Sequence, residues 1–188
     1  MTKQIVRIVI WGLVAVAVVV VAYINYAAGK VSGKIDEANA QIDEGRATSK
    51  ELGSEADQFL SGALPKALTS DRAKLEAWVA KTNGLLAKVV EDYRAAAAKF
   101  EEGRKFALGG VVSKYVELKS HAYQKLADAE EARRKAVVLF IDKSIDSKDE
   151  LRKKQTVLIS EFFKLNSEFD RLDEEAEQLH EENKRKFK

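Results

Sequence analysis

The chain carries few residues suited to acid–base or metal chemistry. It has no cysteine, which excludes disulfides, thiolate metal sites and thiol nucleophiles. Its two histidines are His121 and His180. One spacing matches a ligand pattern: Glu177-x-x-His180, the pair that each of two helices contributes to di-iron carboxylate bundles. Such a site needs a second Glu-x-x-His and two further inward glutamates. Glu117 and His121 are four apart, so the second copy is missing. On the heptad described below, Glu177 takes an outward b position and His180 a flanking e position. No catalytic residue, cofactor or metal is therefore expected, and both histidines read as surface or flank residues. There is also no Gly-rich phosphate loop, nucleophile elbow or zinc helix motif.

The elements that would position such residues are helices. A single proline in 188 residues, with abundant Ala, Lys, Glu, Val and Leu, predicts an all-α chain. The net charge of +2 comes from Lys3 and Arg7; from Lys30 onward 30 bases balance 30 acids. A neutral, mixed-sign surface argues against a nucleic-acid partner, which needs a basic face to displace counterions.

Residues 1–7 form a short tail, and residues 8–29 read as a transmembrane signal anchor. "IVIWGLVAVAVVVVAYI" contains no charged side chain, and the low-polarity run continues to Gly29. Arg7 and Lys30 bracket about 34 Å of helix, close to the hydrocarbon thickness of a bilayer. Trp11 lies near one end and Tyr23 and Tyr26 near the other, where amphipathic rings favour the interface. Arg7, Trp11, Tyr23, Tyr26 and Lys30 are the predicted anchor residues. A cleaved secretory signal is the alternative, with Val20-Val21-Ala22 as the cleavage site, but the apolar run is long for one. Lys3, Arg7 and the α-amino group favour a cytoplasmic N-terminus. In a bacterium the bulk of the chain would then be periplasmic, on the inner membrane.

Residues 30–188 read as an antiparallel, up-and-down helical bundle or coiled coil of about four helices. The first continues a heptad seam through Val31, Ile35, Ala38 and Ile42, is weakened at Gly45 and Ser49, and stops near Gly62 and Pro65. The second is predicted over 70–108, with Leu75, Trp78, Thr82, Leu85, Val89, Ala96 and Phe100 on its buried face. Gly109-Gly110 turns the chain. The third is predicted over 111–145, burying Tyr115, Leu118, Ala122, Leu126, Ala129, Ala136 and Phe140. Ser147 and Glu150 then match a capping box that starts the last helix.

In that last helix Leu151, Leu158, Leu165, Leu172 and Leu179 recur every seven residues, with Phe162 and Phe169 on the same seam. A parallel self-zipper would oppose Glu168 to Asp173, and an antiparallel one would set glutamates against glutamates. A homo-oligomer is thus possible but not favoured. Pairing with the preceding helix is predicted instead, with Glu161 near Lys135, Glu182 near Lys114 and Glu168 against Asp128. Val157, Ile159 and Phe163 make this helix apolar nearly all round, so it is predicted to be the most central, with Leu165→Asp unfolding the domain. The acidic run before "NKRKFK" reads as a solvated face, and the basic tail could reach anionic head groups if the bundle folds back.

A very short tail, one membrane helix and an antiparallel helical domain are similar in layout and length to LemA-type membrane proteins, with no shared sequence signature. The expectation is a non-enzymatic, membrane-anchored scaffold or interaction adaptor, with the bilayer and another envelope or membrane protein as partners. The alternative is an extracytoplasmic, ligand-sensing bundle that signals through a membrane partner.

Overall fold

The computed structural model describes residues 2–60 and 70–187, and these are predominantly helical with no strand among them. Ser61–Thr69, including the predicted stop at Gly62 and Pro65, lie outside the described residues, as do the side chains of Arg7 and Trp11. Helix α1 is Thr2–Lys50 and α2 is Gly53–Leu60. Helices α3, α4 and α5 are Arg72–Arg104, Gly110–Val138 and Lys148–Glu182. Short 3-10 turns cover Leu139–Ile141 and Lys184–Lys186.

No break separates the apolar segment from the bundle. Helix α1 runs 49 residues, about 74 Å, through both. Its first break falls at Glu51–Leu52, earlier than predicted, because Gly53 adopts φ 75°, a left-handed value that costs glycine little. Helix α3 starts where Asp71 accepts hydrogen bonds from the Ala73 and Lys74 amides at 3.0 and 3.2 Å. Helix α4 ends at Val138, short of the predicted 145, and tightens into a 3-10 turn. Helix α5 begins at the predicted cap, where Ser147 Oγ accepts from the Glu150 amide at 3.1 Å. The Glu150 carboxylate reaches back to the Asp146 backbone, one residue before the cap, and pairs with Lys154 at 2.8 Å.

Packing is sequential and antiparallel. Helix α1 lies on α3, α3 on α4 and α4 on α5, while α1 and α5 share at most a marginal contact. Ion pairs fix each direction: Lys34–Glu102 and Lys99–Glu37 join α1 to α3, and Lys125–Glu168 joins α4 to α5 at 2.7 Å. Ser120 Oγ donates to the Ala97 carbonyl at 2.9 Å between α3 and α4. The largest core cluster stacks Phe100 on Tyr123 (centroids 6.0 Å) with Tyr93 and Phe169 around them, closed on the α1 side by Val31, Ala38 and Ile42. A second cluster at the far end sets Phe140 edge-on to Phe59 and Trp78, with α2 lying across it.

Two sequence expectations change. The interior helices are α3 and α4, not α5. Buried residues surround α4, from Val116 to Val137, whereas Phe162 and Ala176 are the only two buried in α5. The reason is size: Ala122, Ala127, Ala129, Ala132 and Ala136 let helices approach α4 on two sides, and α5 leans its large seam residues in from the edge. Leu151, Leu158, Leu165, Phe169, Leu172 and Leu179 are accordingly half-buried. The α4–α5 register is also displaced by about one turn. Glu168 meets Lys125 rather than Asp128, and Lys135 pairs within α4 with Glu131 at 3.9 Å. Ending α4 early shifts the reversal, which turns the expected repulsion into an attraction.

Gly45 does not weaken its seam; it permits it. A β-carbon there would lie 2.7 Å from Tyr93 Cε1 and 3.3 Å from Asp92 Cβ. Gly45→Ala is expected to destabilise the domain by about 1–2 kcal/mol, because an overpacking cost of about 1–3 kcal/mol exceeds the helix-propensity gain of about 1 kcal/mol. Gly84, where an added β-carbon meets nothing within 4 Å, is the control: Gly84→Ala should stabilise by about 0.5–1 kcal/mol. Urea unfolding of both variants checks the sign.

Candidate functional site

The end at which the apolar segment leaves the bundle, the proximal end, gathers four pieces of chain. They are the middle of α1, the α3–α4 connection, the start of α4 and the C-terminal turn. Helices α3 and α5 must finish there, and α4 begin there, because each runs antiparallel to its neighbour.

Lys119 of α4 is the buried charge of this region, with its side chain 7% exposed. Its Nζ donates to Asp173 Oδ1 at 2.7 Å and to Glu177 Oε1, both on α5. Burial alone would push its ammonium down; the hydrogen bonds it donates to Asp173 and Glu177 outweigh that and hold it above its ordinary value. Nζ also stands 5.9 Å over the Tyr115 ring. Glu177 therefore clamps two helices rather than merely facing solvent. His180, one turn on, packs in an aromatic group, 5.6 Å from Tyr115 and 4.7 Å from Phe187 between ring centroids. The Glu-x-x-His pair thus serves two different neighbours. Among the described residues no three His, Asp or Glu groups stand where they could hold a metal ion. His121 is exposed.

Lys119 was missed in the sequence because only the correct register sets it opposite Asp173 and Glu177. A lysine raised by its partners contributes stability that is complete below the unfolded value of 10.5 and is lost as pH climbs through the higher folded value. Burial also pushes the Tyr115 and Tyr123 phenols up, so they erode stability over a similar alkaline range. The difference between wild type and Lys119→Met isolates the lysine. Unfolding free energy should fall more steeply above pH 10.5 in wild type than in the variant. Parallel curves would contradict the clamp.

Next to this clamp lies a cleft of about 800 Å³. Ile24, Ala28, Val31 and Ile35 of α1 form one wall. Phe106, Leu108 and Val112 form another, and Tyr115, His180, Lys186 and Phe187 close the third. Three of the predicted anchor residues stand beside it: Tyr23 and Tyr26 are exposed, and Lys30 Nζ sits 5.5 Å over the Tyr26 ring. Leu151 and Leu158 of the α5 seam lie toward the far end, with Phe162, Leu165 and Phe169 near the middle. Leu172 and Leu179 approach the clamp, so the seam positions α5 and does not line a site.

Set against protein families, curated proteins and solved structures, the chain matches none of them. The likeness to LemA-type proteins in layout accordingly carries no argument about function.

Proposed function

We propose that the chain is a single-pass membrane protein that holds a helical bundle at the cell envelope as a non-enzymatic scaffold or interaction adaptor, with the bundle on the extracytoplasmic side. The observation that carries this reading is α1 itself. Residues 13–26 are exposed throughout and largely apolar, whereas Val31, Ala38 and Ile42 of the same uninterrupted helix are buried in the bundle core. A soluble core helix would bury that apolar stretch; a membrane helix gives it to lipid. Anchor and bundle form one rod, which sets the bundle at a fixed height and leaves no flexible tether. Helix α5 faces outward on the edge opposite α1, with Val157 66% and Phe163 53% exposed, and these are the apolar groups a partner would cover.

Cross-linking and co-purification of the full chain from native membranes tests this. An envelope protein should be recovered in near-equal amount and should be lost from the Val157→Asp/Phe163→Asp variant, whose exposed positions leave folding intact. Recovery of the chain alone, or recovery unaffected by the variant, would overturn the adaptor reading. The ligand-sensing alternative draws on the cleft: a water-soluble ligand that stabilises the full chain in a thermal-shift screen would favour it.

A further inference from the structure

We propose that the proximal cleft is a site for an anionic phospholipid of the surrounding bilayer. An acyl chain would lie between α1 and the α3–α4 connection, and the phosphate would meet Arg185 and Lys186. The inference rests on the anchor reading above and extends it.

Height along α1 is the first argument. A β-carbon added at Gly103 would lie 3.3 Å from Lys34 Cβ and 3.9 Å from the Val31 carbonyl oxygen, so the end of α3 is level with the turn Val31–Lys34. The chain beyond Gly103 continues downward, and Phe106 and Leu108 share the cleft with Ile24 and Ala28. Ile24 is six residues below Lys30, about 9 Å of helix. Apolar groups of interfacial elements sit about 5–10 Å into the boundary between head groups and acyl chains. The lower part of the cleft wall, at Ile24 and Ala28, lies at that depth, and the α3–α4 connection forms the facing wall.

Burial is the second. Between residues 13 and 30 every position of α1 is exposed except Ala27, which is 1% exposed. The bundle's tip therefore rests on the apolar segment itself. Leu108, at the tip, remains 54% exposed, an apolar side chain turned outward at lipid height.

Charge is the third. Three acids at this end are each held by a base, Glu101 by Arg104 at 2.7 Å, Glu102 by Lys34 at 2.9 Å and Glu181 by Lys184 at 2.6 Å, while Asp173 and Glu177 share Lys119. The four exposed cations Lys105, Lys114, Arg185 and Lys186 still exceed the remaining acid charge, which is Glu117, Glu182 and the one carboxylate in excess at the Lys119 clamp. Lys186 lines the cleft, so a cation stands at the mouth of an otherwise apolar cavity. Apolar walls at acyl depth with cations at head-group height match an anionic lipid; a free polar solute would leave those walls unfilled.

The cysteine-free sequence makes the test direct. Full chains with single cysteines at Leu108, Val18 or Val157 are labelled with a polarity-sensitive fluorophore and reconstituted in phosphatidylcholine vesicles, with or without phosphatidylglycerol, containing a quencher on the acyl chains. Labels at 18 and 108 should be quenched and the label at 157 should not. Quenching at 18 but not at 108 would overturn the lipid site while leaving the anchor. No quenching at 18 would remove the anchor, and the site with it. Native mass spectrometry of the full chain released from the same vesicles should show retained phosphatidylglycerol. Arg185→Gln/Lys186→Gln should weaken that retention by about 25-fold, about fivefold for each cation lost. Equal retention of phosphatidylcholine, or no change in the variant, would overturn anionic recognition.

Discussion

Phe162→Ala is expected to release α5 from the bundle at a cost of about 3–5 kcal/mol. Phe162 is 5% exposed and packs on Ala129 and Ala132, with the Arg133 guanidinium 5.9 Å over its ring. The other buried residue of α5, Ala176, is too small to hold the helix by itself. Its remaining seam residues are half-buried, so their contributions are smaller than Phe162's, and Leu165→Asp removes less than the zipper pattern implied. A loss of this size is a large share of the about 5–15 kcal/mol that stabilises an ordinary domain. Hydrogen exchange on the full chain should show α5 amides losing protection while α3 keeps its own. A variant that stayed folded and merely stopped dimerising would show that the seam closes on a second copy.

Phe100→Ala is the second large effect, again about 3–5 kcal/mol, but with a different pattern. Phe100 is 1% exposed and stacks nearly parallel to Tyr123, at 18°, in the cluster that α1 closes with Val31, Ala38 and Ile42. A cavity there loosens the joint between α1 and the bundle rather than the α5 edge. Protection should fall in residues 31–50 of α1 together with α3 and α4. Phe100→Leu, which keeps much of the volume, should cost clearly less. A loss below about 1 kcal/mol for the alanine variant would mean the aromatic stack is not the core of this joint.

Periodicity made the architecture legible, and side-chain size made it misleading. The apolar run at 8–29, the glycines at 109–110 and the cap at Ser147 each mark a real feature of the chain. Large residues recurring every seven positions pointed to α5 as the centre. The interior belongs instead to α3 and α4, and the alanines of α4 are poor in area and good at close approach. The early end of α4 at Val138 leaves no signature beyond a loss of helical bonding, yet it moves the pairing by a turn and brings Lys119 onto Asp173 and Glu177. Glu177 and His180 were visible as a spacing; their separate roles, in a charge clamp and an aromatic group, depend on neighbours from α4 and the C-terminal turn. The cleft is less legible still, because its walls come from segments about 70 residues apart in sequence that meet only when all three antiparallel reversals are made.

The proposed anchor requires α1 to cross a bilayer with its two ends on opposite sides. Single cysteines at Thr2 and Ser160, each in the full chain, can be probed in sealed membranes of the expressing cell with a membrane-impermeant maleimide. The cysteine at 160 should be labelled before permeabilisation and the cysteine at 2 only after it. The reverse order would keep the crossing and invert its sidedness. Identical labelling of both positions, before and after permeabilisation, would contradict the crossing itself.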